Sequence, residues 1–112
     1  MFGSTKAFSG FSVDDLAAAR KFYGETLGID VEDNGPRLML KIAGGNGILI
    51  YPKDDHVPAT YTILNFPVHD IEKAVDELAG KGITFERYEK DQEIAWFKDP
   101  AGNILSVLQT EA

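Results

Sequence analysis

Few side chains in this sequence could do chemistry. His56 stands beside Asp54 and Asp55 in "YPKDDHVPAT", and His69 precedes Asp70 in "FPVHDIEK". An imidazole next to a carboxylate can act as a general base. Both histidines nevertheless fall in polar turn sequence, where a solvated loop side chain is the plainer reading. Glu86 alternates with Tyr88 in "ITFERYE", so it could point inward with the tyrosine and serve in proton abstraction. The run "YEKDQE" that follows, with Glu89, Asp91 and Glu93, reads as an exposed acidic loop, and a solvated carboxylate near the strand end is the plainer reading of Glu86 as well. Gly44, Gly45 and Gly47 form a glycine-rich turn without the lysine and helix that phosphate binding needs. Arg37 and Lys41 could meet an anionic ligand at a rim or be solvated. With no cysteine in the chain, thiolate metal sites, disulfides and cysteine nucleophiles are excluded. The remaining oddity is Ser106, one hydroxyl inside the apolar run "NILSVL".

The elements that position these residues are legible from periodicity. In "DDLAAARKFYGETLG" the apolar residues Leu16, Ala19, Phe22, Tyr23 and Leu27 have helical spacing, with Asp14 or Asp15 as cap and Gly28 as stop. In "HDIEKAVDELAGKG" the residues Ile71, Ala74, Val75 and Leu78 repeat the design, with Asp70 as cap and Gly80 or Gly82 as stop. Strands are expected in "AFSGFSV", "DVED", "RLMLKIA", "GILIYP", "TYTILNFPV", "ITFERYE", "EIAWFKD" and "NILSVLQ", separated by turns such as Asn34-Gly35-Pro36.

Strand, helix and three strands occur, and then occur again. Aligning "SVDDLAAARKFYGETLG" with "PVHDIEKAVDELAGKG" sets Val13 on Val68, Asp15 on Asp70, Leu16 on Ile71 and Tyr23 on Leu78, with one gap before the terminal glycine. At the other end "GNGILIY" lies on "GNILSVL", placing Leu49 opposite Ser106. This predicts one domain over 1–112, built of a module 1–52 and a module 60–112 joined by a hinge 53–59. Its class is α+β: two βαβββ modules forming curved mixed sheets with helices outside. Neither module could bury both faces of such a sheet alone, so the half barrels should be completed within the chain or across a homodimer.

The chain has 112 residues, 44% of them hydrophobic and 26% charged, the profile of an ordinary globular protein. It contains no apolar run of about 18 residues that would cross a membrane, and its start lacks the pattern of a secretory signal, so a cytoplasmic location is expected. A net charge of -7 argues against nucleic acid and anionic membranes as partners.

Two βαβββ modules, with "VDDLAAARKFYGETLG" after the first strand and "DPAGNILSV" before the last, resemble the vicinal oxygen chelate superfamily. That superfamily includes glyoxalase I, extradiol dioxygenases, and fosfomycin and bleomycin resistance proteins. The resemblance covers essentially the whole chain and implies half-barrel sheets around a ligand cavity. In metal-dependent members the ligands come from the first and last strand of each module, positions occupied here by Phe8, Leu49, Ile63 and Ser106. The internal repeat pairs the same positions. One hydroxyl beside two aliphatic chains and a phenyl ring cannot satisfy a divalent cation, so neither metal nor other cofactor is expected.

Strand alternation sends Phe8, Met39, Leu49, Tyr51, Tyr61, Ile63, Asn65, Tyr88, Trp96 and Ser106 toward the expected cavity, together with Gly10, Ser12 and Leu108. This aromatic and aliphatic set suits a flat or hydrophobic organic ligand, although the same side chains could simply fill a closed barrel. The expected function is metal-independent binding of a small aromatic or hydrophobic molecule, for carriage, sequestration or resistance. The alternative is a metal-free lyase or isomerase using Glu86 or a cavity tyrosine as acid or base. The residues alone do not decide whether the protein is an enzyme.

Overall fold

The structure is a computed structural model describing residues 1–43 and 45–110; Gly44 of the glycine turn and the last two residues lie outside the described residues. The chain divides into two compact units, Met1–His56 and Val57–Ala112. The expected hinge 53–59 is therefore shared between them. Lys53 belongs to the first unit because its amide donates to Val13 O at 2.9 Å.

In the first unit a short 3-10 turn (Phe2–Ser4) precedes strand β1 (Ser9–Val13), helix α1 (Leu16–Lys21) and strands β2 (Asp30–Asn34), β3 (Arg37–Lys41) and β4 (Ile48–Pro52). The sheet order is β1-β4-β3-β2, with β1 and β4 parallel and the other pairs antiparallel. Asp15 caps α1 by accepting from the Ala18 amide at 3.1 Å, which satisfies one of the free donors of the first turn.

The helix does not run unbroken to Gly28. A π turn occupies Phe22–Thr26, with Leu27 N–H donating to Phe22 O at 2.9 Å. A π turn accommodates one extra residue, and this segment is one residue longer than its counterpart between Asp70 and Gly82. The terminal bonds agree: Ile29 N–H reaches Tyr23 O, while in the second unit Ile83 N–H reaches Leu78 O. The single gap in the internal alignment is thus a local helical insertion. Gly28 and Gly82 end the two helical segments at φ 70° and 95°, where a side chain would be strained.

The second unit contains β5 (Thr62–Val68), α2 (Ile71–Ala79), β6 (Ile94–Lys98) and β7 (Ile104–Gln109). Its order, β5-β7-β6, repeats β1-β4-β3 with the same parallel first pair. The strand expected in "ITFERYE" does not form as a regular element; it is reduced to one antiparallel bridge, Glu86 with Trp96. The class is α+β, with two mixed sheets of half-barrel type.

Each helix packs on one face of its own sheet. In the first unit Tyr23 contacts Phe11 with ring centroids 5.8 Å apart, and Val13, Ala19, Tyr23, Leu38, Leu40 and Ile50 are buried. In the second, Ile71, Ala95, Phe97, Leu105 and Val107 are buried, and Phe85 packs on Phe97 at 5.2 Å. Burying a side chain of this size stabilises by about 1.5–3 kcal/mol. The start of α2 is tied to the sheet by the Gln109 side chain, which accepts from Ile71 N–H at 2.9 Å and donates to His69 O.

Candidate functional site

Because strands alternate, packing one face on a helix defines what the other face presents. In the second unit Asn65, Ser106 and Trp96 stand side by side in one row, continued by Glu86 through its bridge. Ser106 is fully buried and donates its hydroxyl to Asn65 Oδ1 at 2.6 Å. That explains a hydroxyl in an apolar strand: it is an internal partner that orients the amide of an exposed neighbour. Trp96 is half-buried, its Nε1–H donates to Thr62 Oγ1 at 3.1 Å, and the Tyr88 ring meets it edge-on, centroids 5.4 Å apart. The indole is thereby held on two sides.

Thr62 was not among the residues that alternation selects. The register between β5 and β7 shifts between Thr62 and Leu64, so Thr62 pairs with Ile104 and takes the same face as Asn65. Ile63 sits at the irregularity itself. A bulge of this kind has no signal in "TYTILNF". Tyr61 precedes β5 and is 70% exposed.

In the first unit the corresponding face carries Gly10, Leu49, Met39 and Glu32 in one row, with Ser12 beside Tyr51. Leu49 and Met39 are half-buried and Tyr51 is exposed. Phe8 lies before β1 and is 55% exposed. His56 differs from a free loop histidine: its Nδ1 is 2.6 Å from Ser12 Oγ. The turn that carries it is closed by His56 N–H donating to Lys53 O at 3.1 Å, a non-local juxtaposition that spacing alone does not show. Lys41 pairs with Glu32 at 3.7 Å.

The turn between β6 and β7 is rigidly built. Asp99 Oδ1 accepts from the amides of Ala101 and Asn103, both at 2.9 Å, and Asn103 Nδ2 donates to Asp99 Oδ2 at 3.0 Å. Both side chains are buried, so this pair fixes the hairpin that aligns Trp96 with Ser106.

The four positions that the family resemblance assigns to metal ligands are poor in donors. Phe8, Leu49 and Ile63 carry no donor, and the hydroxyl of Ser106 is committed to Asn65. Among the described residues no group of three or more His, Cys, Asp or Glu side chains is placed to hold an ion. Nor is any helix there long and apolar enough to cross a membrane.

Comparison with solved structures gives close matches over nearly the whole chain. A glyoxalase family protein from Enterococcus faecalis is 26% identical with a TM-score of 0.75, covering 97% of this chain and 100% of its own. TnmS3, an antibiotic binding protein from Streptomyces sp. CB03234, is 22% identical with a TM-score of 0.74, covering 96% and 98%. A superfamily member from Sphaerobacter thermophilus is 24% identical with a TM-score of 0.73, covering 96% and 98%. No curated protein matches the sequence. The family profile matches residues 8–107, from just before β1 into β7 and including both helices and Trp96, and the chain therefore belongs to the Glyoxalase/Bleomycin resistance protein/Dioxygenase superfamily.

Proposed function

We propose that this protein binds a small, planar aromatic or hydrophobic organic molecule without a metal, and that Trp96 is the principal contact. The observation that carries the reading is the row Asn65, Ser106, Trp96 and Glu86, with Thr62 and Tyr88 holding the indole. Such a row offers a flat apolar surface beside a few oriented polar groups, the usual composition of a small-molecule site. The likeness to TnmS3, described as an antibiotic binding protein, supports sequestration or resistance as the biological setting. Tyr61 and Ile63 belong to the proposed ligand-contacting set of the second unit; on the first unit, taken by itself, the corresponding face offers Phe8, Met39, Leu49 and Tyr51 as its proposed contacts. The protein works as one domain of two modules, as a cytoplasmic homodimer.

Native mass spectrometry of freshly purified protein tests this directly, by reporting retained ligand and subunit count together. A retained or added aromatic compound should quench the single tryptophan. Trp96→Ala should weaken its binding more than about tenfold, since an aromatic pair and the lost buried surface together exceed about 1.4 kcal/mol. Unchanged affinity in the folded variant, with no fluorescence response in the parent, would remove Trp96 from the site. A second reading, a metal-free lyase or isomerase, is favoured by one observation: Glu86 stands opposite Trp96 in the same row. Recovery of a chemically altered ligand, abolished in Glu86→Gln, would select it over the carrier.

A further inference from the structure

The two sheets differ at one place. In the first unit β2 pairs with β3 through five residue positions. In the second, the segment that stands where β2 would be has a single backbone bridge to β6, Glu86 with Trp96, with bonds of 2.8 and 2.9 Å, beside the ring contacts of Phe85 on Phe97 and Tyr88 on Trp96. Yet this segment carries Glu86 and Tyr88, two of the side chains gathered around the indole. A single bridge is too little ladder to hold them there, because each ordered residue opposes about 1–2 kcal/mol of backbone entropy.

The intervening residue supplies the missing constraint. Arg87 forms a two-pronged pair with Glu72 of α2, Nη1 to Oε1 at 2.8 Å and Nη2 to Oε2 at 2.9 Å, and Nη2 also donates to Gln92 O at 3.0 Å. A planar guanidinium fixes orientation as well as distance when it grips a carboxylate in this way. Its anchor is firm: the start of α2 is capped by Asp70, which accepts from Lys73 N–H, and is held to β7 by Gln109. The Arg87 side chain is 26% exposed and that of Glu72 66%, so it is the bidentate geometry that sets this pair apart from the loose surface pairs that contribute little. The loop beyond is closed by Asp91 N–H to Tyr88 O at 3.0 Å and Gln92 Nε2 to Glu89 O at 3.1 Å.

We propose that Arg87 is a positioning residue for the Trp96 face: clasped to Glu72, it replaces the absent strand ladder and holds Glu86 and Tyr88 beside the indole. Its importance for ligand recognition rests on the reading of that face given above. The positional claim itself is tested on the free protein.

Trp96 is the only tryptophan, so acrylamide quenching of its fluorescence reports how well Tyr88 covers it. Amide hydrogen exchange at Glu86, whose N–H donates to Trp96 O, reports the bridge. Arg87→Ala should raise the quenching constant about twofold and speed Glu86 exchange about tenfold, a change in opening of about 1.4 kcal/mol, while amides of β5 and β7 keep their protection. Glu72→Gln should move both readouts in the same direction. Arg87→Lys should restore little, because an ammonium lacks the fork, whereas the exchanged pair Glu72→Arg with Arg87→Glu should restore both. Unchanged quenching and exchange in Arg87→Ala would overturn the proposal. So would equal acceleration throughout the second unit, which would make the pair a general stabiliser. A failure of the ligand reading alone would leave all of these free-protein results intact.

Discussion

Removing the acceptor of the Trp96 hydrogen bond tests whether the register shift in β5 has the consequence drawn from it. Thr62→Val exchanges a hydroxyl for a methyl group of similar size and leaves the indole N–H without its partner at 3.1 Å. A neutral hydrogen bond contributes about 0.5–1.5 kcal/mol net, and stranding its donor adds about 1–3 kcal/mol if water cannot reach it. Trp96 is half-buried, so water offsets part of that addition, and the expected loss is about 1–2 kcal/mol. Trp96→Phe deletes the donor instead, and its own loss includes packing against Tyr88. In the double variant the hydrogen bond can be lost only once, so the cycle should show a coupling of about 1 kcal/mol. Unfolding in urea should be followed by far-ultraviolet circular dichroism, because the fluorescence reporter is itself altered. Thr62→Val should also shift the Trp96 emission. A coupling within the ~0.3–0.5 kcal/mol found for independent sites, with unchanged emission, would show that Thr62 does not hold the indole.

Other substitutions probe the supports of the same face. Asp99→Ala strips two backbone amides and Asn103 of their buried acceptor and should cost about 3 kcal/mol or more in chemical denaturation. Leu105→Ala, at a fully buried core position, should cost about 2–5 kcal/mol by the same measurement. Asp70→Ala removes the cap of α2 and should cost about 1 kcal/mol, seen with reduced helical ellipticity at intermediate urea. The hydrogen bond from Arg87 holds the Glu72 carboxyl below its ordinary value; desolvation opposes this in part, and the guanidinium charge adds a smaller lowering. Because the folded-state value is the lower one, the stabilisation is present above the ordinary glutamate range and disappears as pH falls through the depressed value. Carboxyl NMR titration should find the Glu72 midpoint raised in Arg87→Ala.

Much of this protein was determined locally. Helices α1 and α2 follow from apolar spacing and from Asp15 and Asp70, because a cap and a helical stripe are set by neighbours within a few residues. The strands carrying Leu38, Leu40, Ile50, Leu105 and Val107 follow from alternation for the same reason. The recurrence of the module was also visible, since the two copies share their pattern along the chain. What only the tertiary structure decided depends on partners distant in sequence. The register shift that brings Thr62 to Trp96 is a property of the β5–β7 pairing and leaves no trace in composition. The strand expected around Glu86 gives way to a single bridge, with Arg87 reaching α2 in place of the missing ladder. His56, polar and apparently solvent-facing in "KDDHVP", meets Ser12 across 44 positions. Ser106, an anomaly in one dimension, becomes intelligible once Asn65 is beside it, because a buried hydroxyl is accounted for only by the partner that the fold delivers.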